Sequence, residues 1–175
     1  IPEKVDIHLV AGIEPKIAFD VGFAIIEPSN SRLLFQFKDA EESSLQKISD
    51  LASGIYQKLS HTPIRAAGSN FTYTLSDNEV FAIESQCGLD AMLDCYNQDI
   101  GDATFVARSI QHSFSGANCN INFIYSQTDA SREIQINYDY QSPVDAVVHA
   151  CNGLVENFEM SNKFVKSLVK EHSDS

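Results

Sequence analysis

A chain of 175 residues with 24 acids against 12 Lys and Arg carries a formal net charge of −12, which argues against nucleic acid or anionic lipid as direct partners, since their phosphates select cationic patches. An apolar share of 43% is ordinary for a folded domain with a core, and no apolar run approaches the ~20 residues of a membrane span. The N-terminal Ile-Pro-Glu-Lys lacks a signal peptide's apolar core, and no C-x-x-C spacing occurs among Cys87, Cys95, Cys119 and Cys151, so the expectation is a cytoplasmic protein with reduced thiols and no cofactor or metal.

Val5, Ile7 and Leu9 alternate with Asp6 and His8, a short strand. Phe19, Val21, Phe23 and Ile25 then form one face of a long strand over 18–26. Its other face, Ala18, Gly22, Ala24 and Ile26, is also small or apolar, with Asp20 the exception, which suggests a central position. Residues 28–31 read as a turn, and Leu33, Phe35 and Phe37 as the returning strand. Asp39 is placed to cap a helix, with Glu41 and Glu42 at the positive end of its dipole. Leu45, Ile48, Leu51, Ala52, Ile55 and Leu59 make a helical stripe over about 40–60, expected to be buried against a sheet. Pro63 stops it.

Residues 64–75 return to strand. Phe71, Tyr73 and Leu75 share one parity and Ala66 and Gly68 the other, so a bulge is expected near Gly68 and Ser69. The 79–101 segment is the least informative. Leu89, Met92 and Leu93 suggest a short helix, nothing local marks Cys87 as activated, and Asp90, Asp94, Asp99 and Asp102 lack EF-hand spacing and read as a solvated loop.

Three strand patterns follow. The first carries Val106, Ile110 and Phe114. In the second, Cys119, Ile121, Phe123 and Tyr125 alternate with Asn118, Asn120 and Asn122. In the third, Ile134, Ile136, Tyr138 and Tyr140 alternate with Glu133, Gln135, Asn137 and Asp139. Ser142 and Pro143 announce a long helix to about 170, with Asp145 in its first turn and an apolar stripe through Val144, Val148, Cys151, Val155 and Phe158. Gly153 marks a kink or a close approach.

The fold class is therefore α+β: a mostly antiparallel sheet of six or seven strands in two βββα-like runs, with two amphipathic helices (about 40–60 and 143–170) packed on one face. A single domain over 1–170 is expected, with 171–175 a disordered polar tail. The layout is comparable to helix-grip proteins, where a long C-terminal helix packs in the mouth of a curved sheet.

Candidate sites follow from residues that break the pattern. Arg108 and His112 share a strand face with Val106, Ile110 and Phe114. An edge position or an ion pair with Asp20 or an acid of the 90–102 loop is one reading, and a polar anchor in a ligand pocket the other. Asn118, Asn120 and Asn122 form a ladder that reads as a solvent face, or as amides offered to a partner or a sugar. Phe164, Val165 and Leu168 form an apolar strip at the helix end that would invite a second copy. No nucleophile motif such as G-x-S-x-G is present. The functional expectation is a non-enzymatic interaction or assembly protein, acidic and soluble, with a protein partner or as a homodimer. The alternative is a module binding a small apolar ligand between sheet and C-terminal helix.

Overall fold

In the computed structural model, which describes residues 4–8, 16–59, 61–76, 79, 105–114, 117–126, 132–141 and 145–170, Gly22 divides the long strand expected over 18–26. Its φ is 87°, a conformation open to glycine at no steric cost. Around it Val21 N–H donates to the Ala24 carbonyl at 3.0 Å, and Gly22 N–H donates to Asp20 Oδ1 at 2.9 Å. The result is a hairpin with the two-residue loop Gly22-Phe23 between β2 (Lys16–Asp20) and β3 (Ala24–Pro28). Apolarity on both faces had suggested one central strand, because residue type does not report a reversal that a single glycine makes.

With β1 (Lys4–His8) and β4 (Leu33–Phe37), these strands form a four-stranded antiparallel sheet in the order β1-β2-β3-β4. The Asp20 carboxylate is also held by Lys38 Nζ at 2.5 Å. Helix α1 (Glu42–Lys58) lies along β4. Glu41, not Asp39, occupies its N-cap position. Asp39 acts from two residues upstream by accepting the Glu41 N–H at 3.1 Å. A Ser44 hydroxyl bond, then that backbone bond, hold the Asp39 carboxyl below its usual range. Leu45 and Ile48 are fully buried beside Ser44 and Ser49. Leu51 and Ile55 are half-buried. Leu59, expected in the stripe, is 46% exposed just beyond the helix end.

The chain divides into two compact units, Ile1–Thr62 and Pro63–Ser175, where the sequence reading draws one domain. The second unit has its own antiparallel sheet, of β5 (Ala67–Thr74), β6 (Phe105–Phe114), β7 (Ala117–Ser126) and β8 (Arg132–Tyr140), in the order β5-β8-β7-β6. The α+β class with antiparallel strands and packed helices holds. The strands described number eight in two sheets rather than six or seven in one, since periodicity reports a strand's faces and not its neighbours.

No bulge interrupts β5. It pairs with β8 without a break from Ala67↔Tyr140 to Thr74↔Glu133. The glycine serves a close approach instead: a Cβ on Gly68 would collide with the Tyr138 carbonyl. One face of this sheet is core, with Phe71, Ala117, Cys119, Ile121, Ile134, Ile136, Tyr138 and Tyr140 all buried.

The C-terminal helix is two helices, α2 (Ala146–Asn152) and α3 (Leu154–Lys170), meeting at Gly153. Both pack on β5 and β8. Asp145 is the N-cap residue, and Ser142 and Pro143 lie outside the described residues, as do Cys87, Cys95, the 90–102 loop and the tail 171–175.

Replacing Leu45, fully buried in α1, by Ala is expected to cost about 2–5 kcal/mol by loss of transfer free energy and residual cavity. Gly22→Ala is expected to cost about 1–2 kcal/mol for forcing a side chain into left-handed backbone. Equilibrium urea unfolding of both variants checks the pair, and an unchanged midpoint for Leu45→Ala would show the core assignment to be wrong.

Candidate functional site

Two features of the second sheet concentrate polar side chains, one on each side. On the core side, β5 and β8 present Ser69, Tyr73, Tyr138 and Tyr140 to α3. The helix answers with Asn157, Ser161 and Asn162. Asn157 has no solvent exposure and Ser161 has 1%. Asn157 Nδ2 donates to the Tyr140 hydroxyl at 3.0 Å and to Ser69 Oγ at 3.4 Å. Ser161 Oγ donates to the Asn157 carbonyl one turn back at 2.7 Å. With that proton committed, Tyr138 must donate across the 3.1 Å contact between its hydroxyl and Ser161 Oγ. Tyr73 donates to Asn162 Oδ1 at 2.9 Å.

Burial sets the acidities here. It pushes the Tyr73 hydroxyl up to about 12, the polar contact with Ser161 opposing. Burial likewise raises Tyr138 and the Cys119 thiol, Cys119 being opposed by its hydrogen bond with Tyr138. Burial thus favours the neutral form of Tyr73, Tyr138 and Cys119, the form that donates hydrogen bonds. The apolar margins close around it, with Phe158 against Phe71 at a ring separation of 5.6 Å. Tyr140 places its hydroxyl where a Gly153 Cβ would stand, and His149 stacks on its ring at 6.5 Å. The expected close approach at Gly153 is thus made by Tyr140. The place between helix and sheet considered for a small apolar ligand is lined by these tyrosine, serine and asparagine groups.

On the other side, the strand registers align four carboxamides in one row. Asn70 pairs with Asn137, Asn137 with Asn120, and Asn120 with Gln111. The next row holds Thr72, Gln135 and Asn122. Asn70 and Gln111 are exposed, and Asn120 and Asn137 are half-exposed. Among the described residues, no hydrogen bond joins the four carboxamides of the first row to one another or to the chain around them.

The sequence candidates fall as follows. Arg108 and His112 lie on β6, opposite Phe123 and Cys119 in the register. β6 ends the row of described strands. Of these two residues only the backbone is described. Asp20, considered as their partner, is engaged by Lys38 and the Gly22 N–H. Val165 is buried at 9% exposure, while Phe164 and Leu168 are half-buried. Among the described residues no group of three or more His, Cys, Asp or Glu is placed to hold a metal, and no helix is long and apolar enough to cross a membrane.

Sequence reasoning missed Asn157 and Ser161. It took the stripe through Val148, which is 42% exposed, because Val148 continues the apolar period and asparagine reads as surface. The usable signal was the line Leu154, Asn157, Ser161, Val165, spaced three, four and four with apolar ends. No protein-family model, curated protein or solved structure matches this chain.

Because the folded chain holds Tyr73 protonated up to about 12 against an ordinary value of 10.0, its contribution to stability is complete below the unfolded value. It is lost as pH rises through the folded one. Alkaline unfolding of the wild type should therefore steepen in that window, and Tyr73→Phe should flatten it. Identical pH profiles for the two proteins would contradict the assignment. Cys119 and Cys151 are buried free thiols and are expected to label only after denaturation, which peptide mapping of an alkylated sample checks.

Proposed function

We propose that this chain is a non-enzymatic interaction or assembly protein that takes up an extended strand of a partner protein on the edge of β4. The observation that carries the reading is the composition and exposure of that edge. β4 has one described neighbour, β3. Lys38 N–H donates to Phe23 at 3.3 Å and Ser29 N–H to Arg32 at 2.8 Å. Alternation along an antiparallel ladder then turns the main-chain groups of Leu34 and Gln36 toward β3, and those of Leu33 and Phe35 away from it. Leu33 and Leu34 are 40% and 37% exposed. An exposed apolar edge strand free of charge and proline along Leu33–Phe37 is what proteins elsewhere blunt, or use for strand addition.

A partner other than a second copy fits better. An antiparallel β4–β4 pair centred on Phe35 would set Arg32 opposite Lys38, like charge against like. A strand with apolar alternation and acidic ends meets no such conflict. The buried free thiols of Cys119 and Cys151 support a reducing, cytoplasmic setting. The helix end at Phe164, Val165 and Leu168 supports self-association less, because Val165 is buried.

The test uses a partner recovered by affinity capture and then purified. Leu34→Lys places a charge on the exposed edge and is expected to weaken binding about tenfold, or ~1.4 kcal/mol, with the melting temperature unchanged. Hydrogen exchange at the Leu33 and Phe35 amides should slow on binding. Equal affinity for variant and wild type, or no protection at those amides, would defeat the proposal. Sedimentation at several concentrations distinguishes self-association, which predicts a rising mass without any partner.

A further inference from the structure

We propose that the outer face of the second sheet is a binding site for a neutral glycan chain, seated across the row Asn70, Asn137, Asn120 and Gln111. This inference rests on the register and chemistry of that face, and stands or falls independently of the β4 edge.

Asparagine is disfavoured in strands. Yet three of the four strands place one at the same level, and the fourth places a glutamine there. Among the described residues nothing repays this, since the four carboxamides make no hydrogen bond there. Where a sequence breaks a local preference without structural return, function is the usual reason.

The chemistry of the row selects its occupant. Each carboxamide carries two N–H donors and a carbonyl acceptor, and so does not discriminate by sign of charge. The row holds no cation for a phosphate or carboxylate and no acid for a cation, and it offers no apolar surface to a lipid. A sugar hydroxyl is likewise donor and acceptor at once, and a pair of neighbouring hydroxyls can engage one carboxamide through both its ends. Thr72 and Gln135 extend the same chemistry to the adjacent row.

Size separates a glycan from a protein. Four strands about 4.8 Å apart span ~14 Å, and two rows along the strands are ~7 Å apart. That footprint is far below the ~800 Å² per partner of a standard protein interface. It suits a flat chain of a few sugar rings lying across the strands. A second copy would bring its own share of a net charge of −12 to the same contact.

The probes are neutral hexasaccharides of glucose, xylose and mannose, titrated into the full chain. The readout is the side-chain NH₂ signals in NMR. At least one probe is expected to move the signals of Asn70, Gln111, Asn120 and Asn137 together and saturably. Asn120→Asp and Asn137→Asp keep the shape and exchange a donor pair for a charge, and each is expected to weaken that probe about tenfold. Asn120→Thr, which suits a strand better, should weaken binding while leaving the melting temperature equal or higher, so that loss of binding is not loss of fold. No movement with any probe, movement centred elsewhere, or undiminished affinity in the Asp variants would overturn the site. So would signals on this row that shift with protein concentration alone, which assigns the face to a second copy.

Discussion

A carboxamide with no solvent exposure, Asn157, decides where the C-terminal helix can sit on the second sheet. A buried amide left without partners costs on the order of 1–3 kcal/mol. Its Nδ2 is satisfied only where Tyr140 and Ser69 reach it together. Those two residues stand on neighbouring strands, so one helix position and one rotation meet the requirement. Apolar packing alone would tolerate small slips along the groove between β5 and β8. The hydroxyls of Tyr73 and Tyr138 add two further fixed points, at Asn162 and Ser161. The break at Gly153 belongs to the same constraint, because Tyr140 can reach Asn157 only by passing where a side chain at 153 would be.

The second sheet thus carries polar chemistry on both sides, used in opposite ways. Beneath the helix, tyrosine, serine and asparagine groups are buried or half-buried and hydrogen-bonded to one another, which specifies a geometry. On the far side, the four carboxamides of the first row are exposed or half-exposed and, among the described residues, make no hydrogen bond. The same strands supply both, since alternate residues of β5 and β8 face opposite ways. The ladders joining β5 to β8, β8 to β7 and β7 to β6 set the spacing of the outer row, and groups already held in place bind with less ordering cost.

What the sequence disclosed follows period. The two-residue alternation of Ile134 to Tyr140 and of Cys119 to Ile121 named the core face of the second sheet, and Leu45 with Ile48 named that of α1. The hairpin at Gly22 was hidden because both faces of 18–26 are small or apolar but for Asp20, and a lone glycine is weak evidence of a turn. The buried side of α3 was hidden because Asn157 and Ser161 owe their burial to tyrosines distant in sequence. The asparagine ladder of β7 was visible, but not that Asn70, Asn137 and Gln111 continue it: register is a relation between strands, and no single strand contains it.

The two sheets also differ in when they can be completed. In the order β1-β2-β3-β4 every strand pairs with its neighbour in the chain, so each closure is a short loop. In β5-β8-β7-β6 the first described strand of the unit pairs with the last described one, and its ladder must wait for the whole meander. Loop closure over so long a separation is entropically late. During synthesis the N-terminal sheet can close soon after α1 emerges. Until β8 arrives β5 lacks the one partner it has among the described strands, and its inward-facing Phe71 and Tyr73 are without the core they pack into.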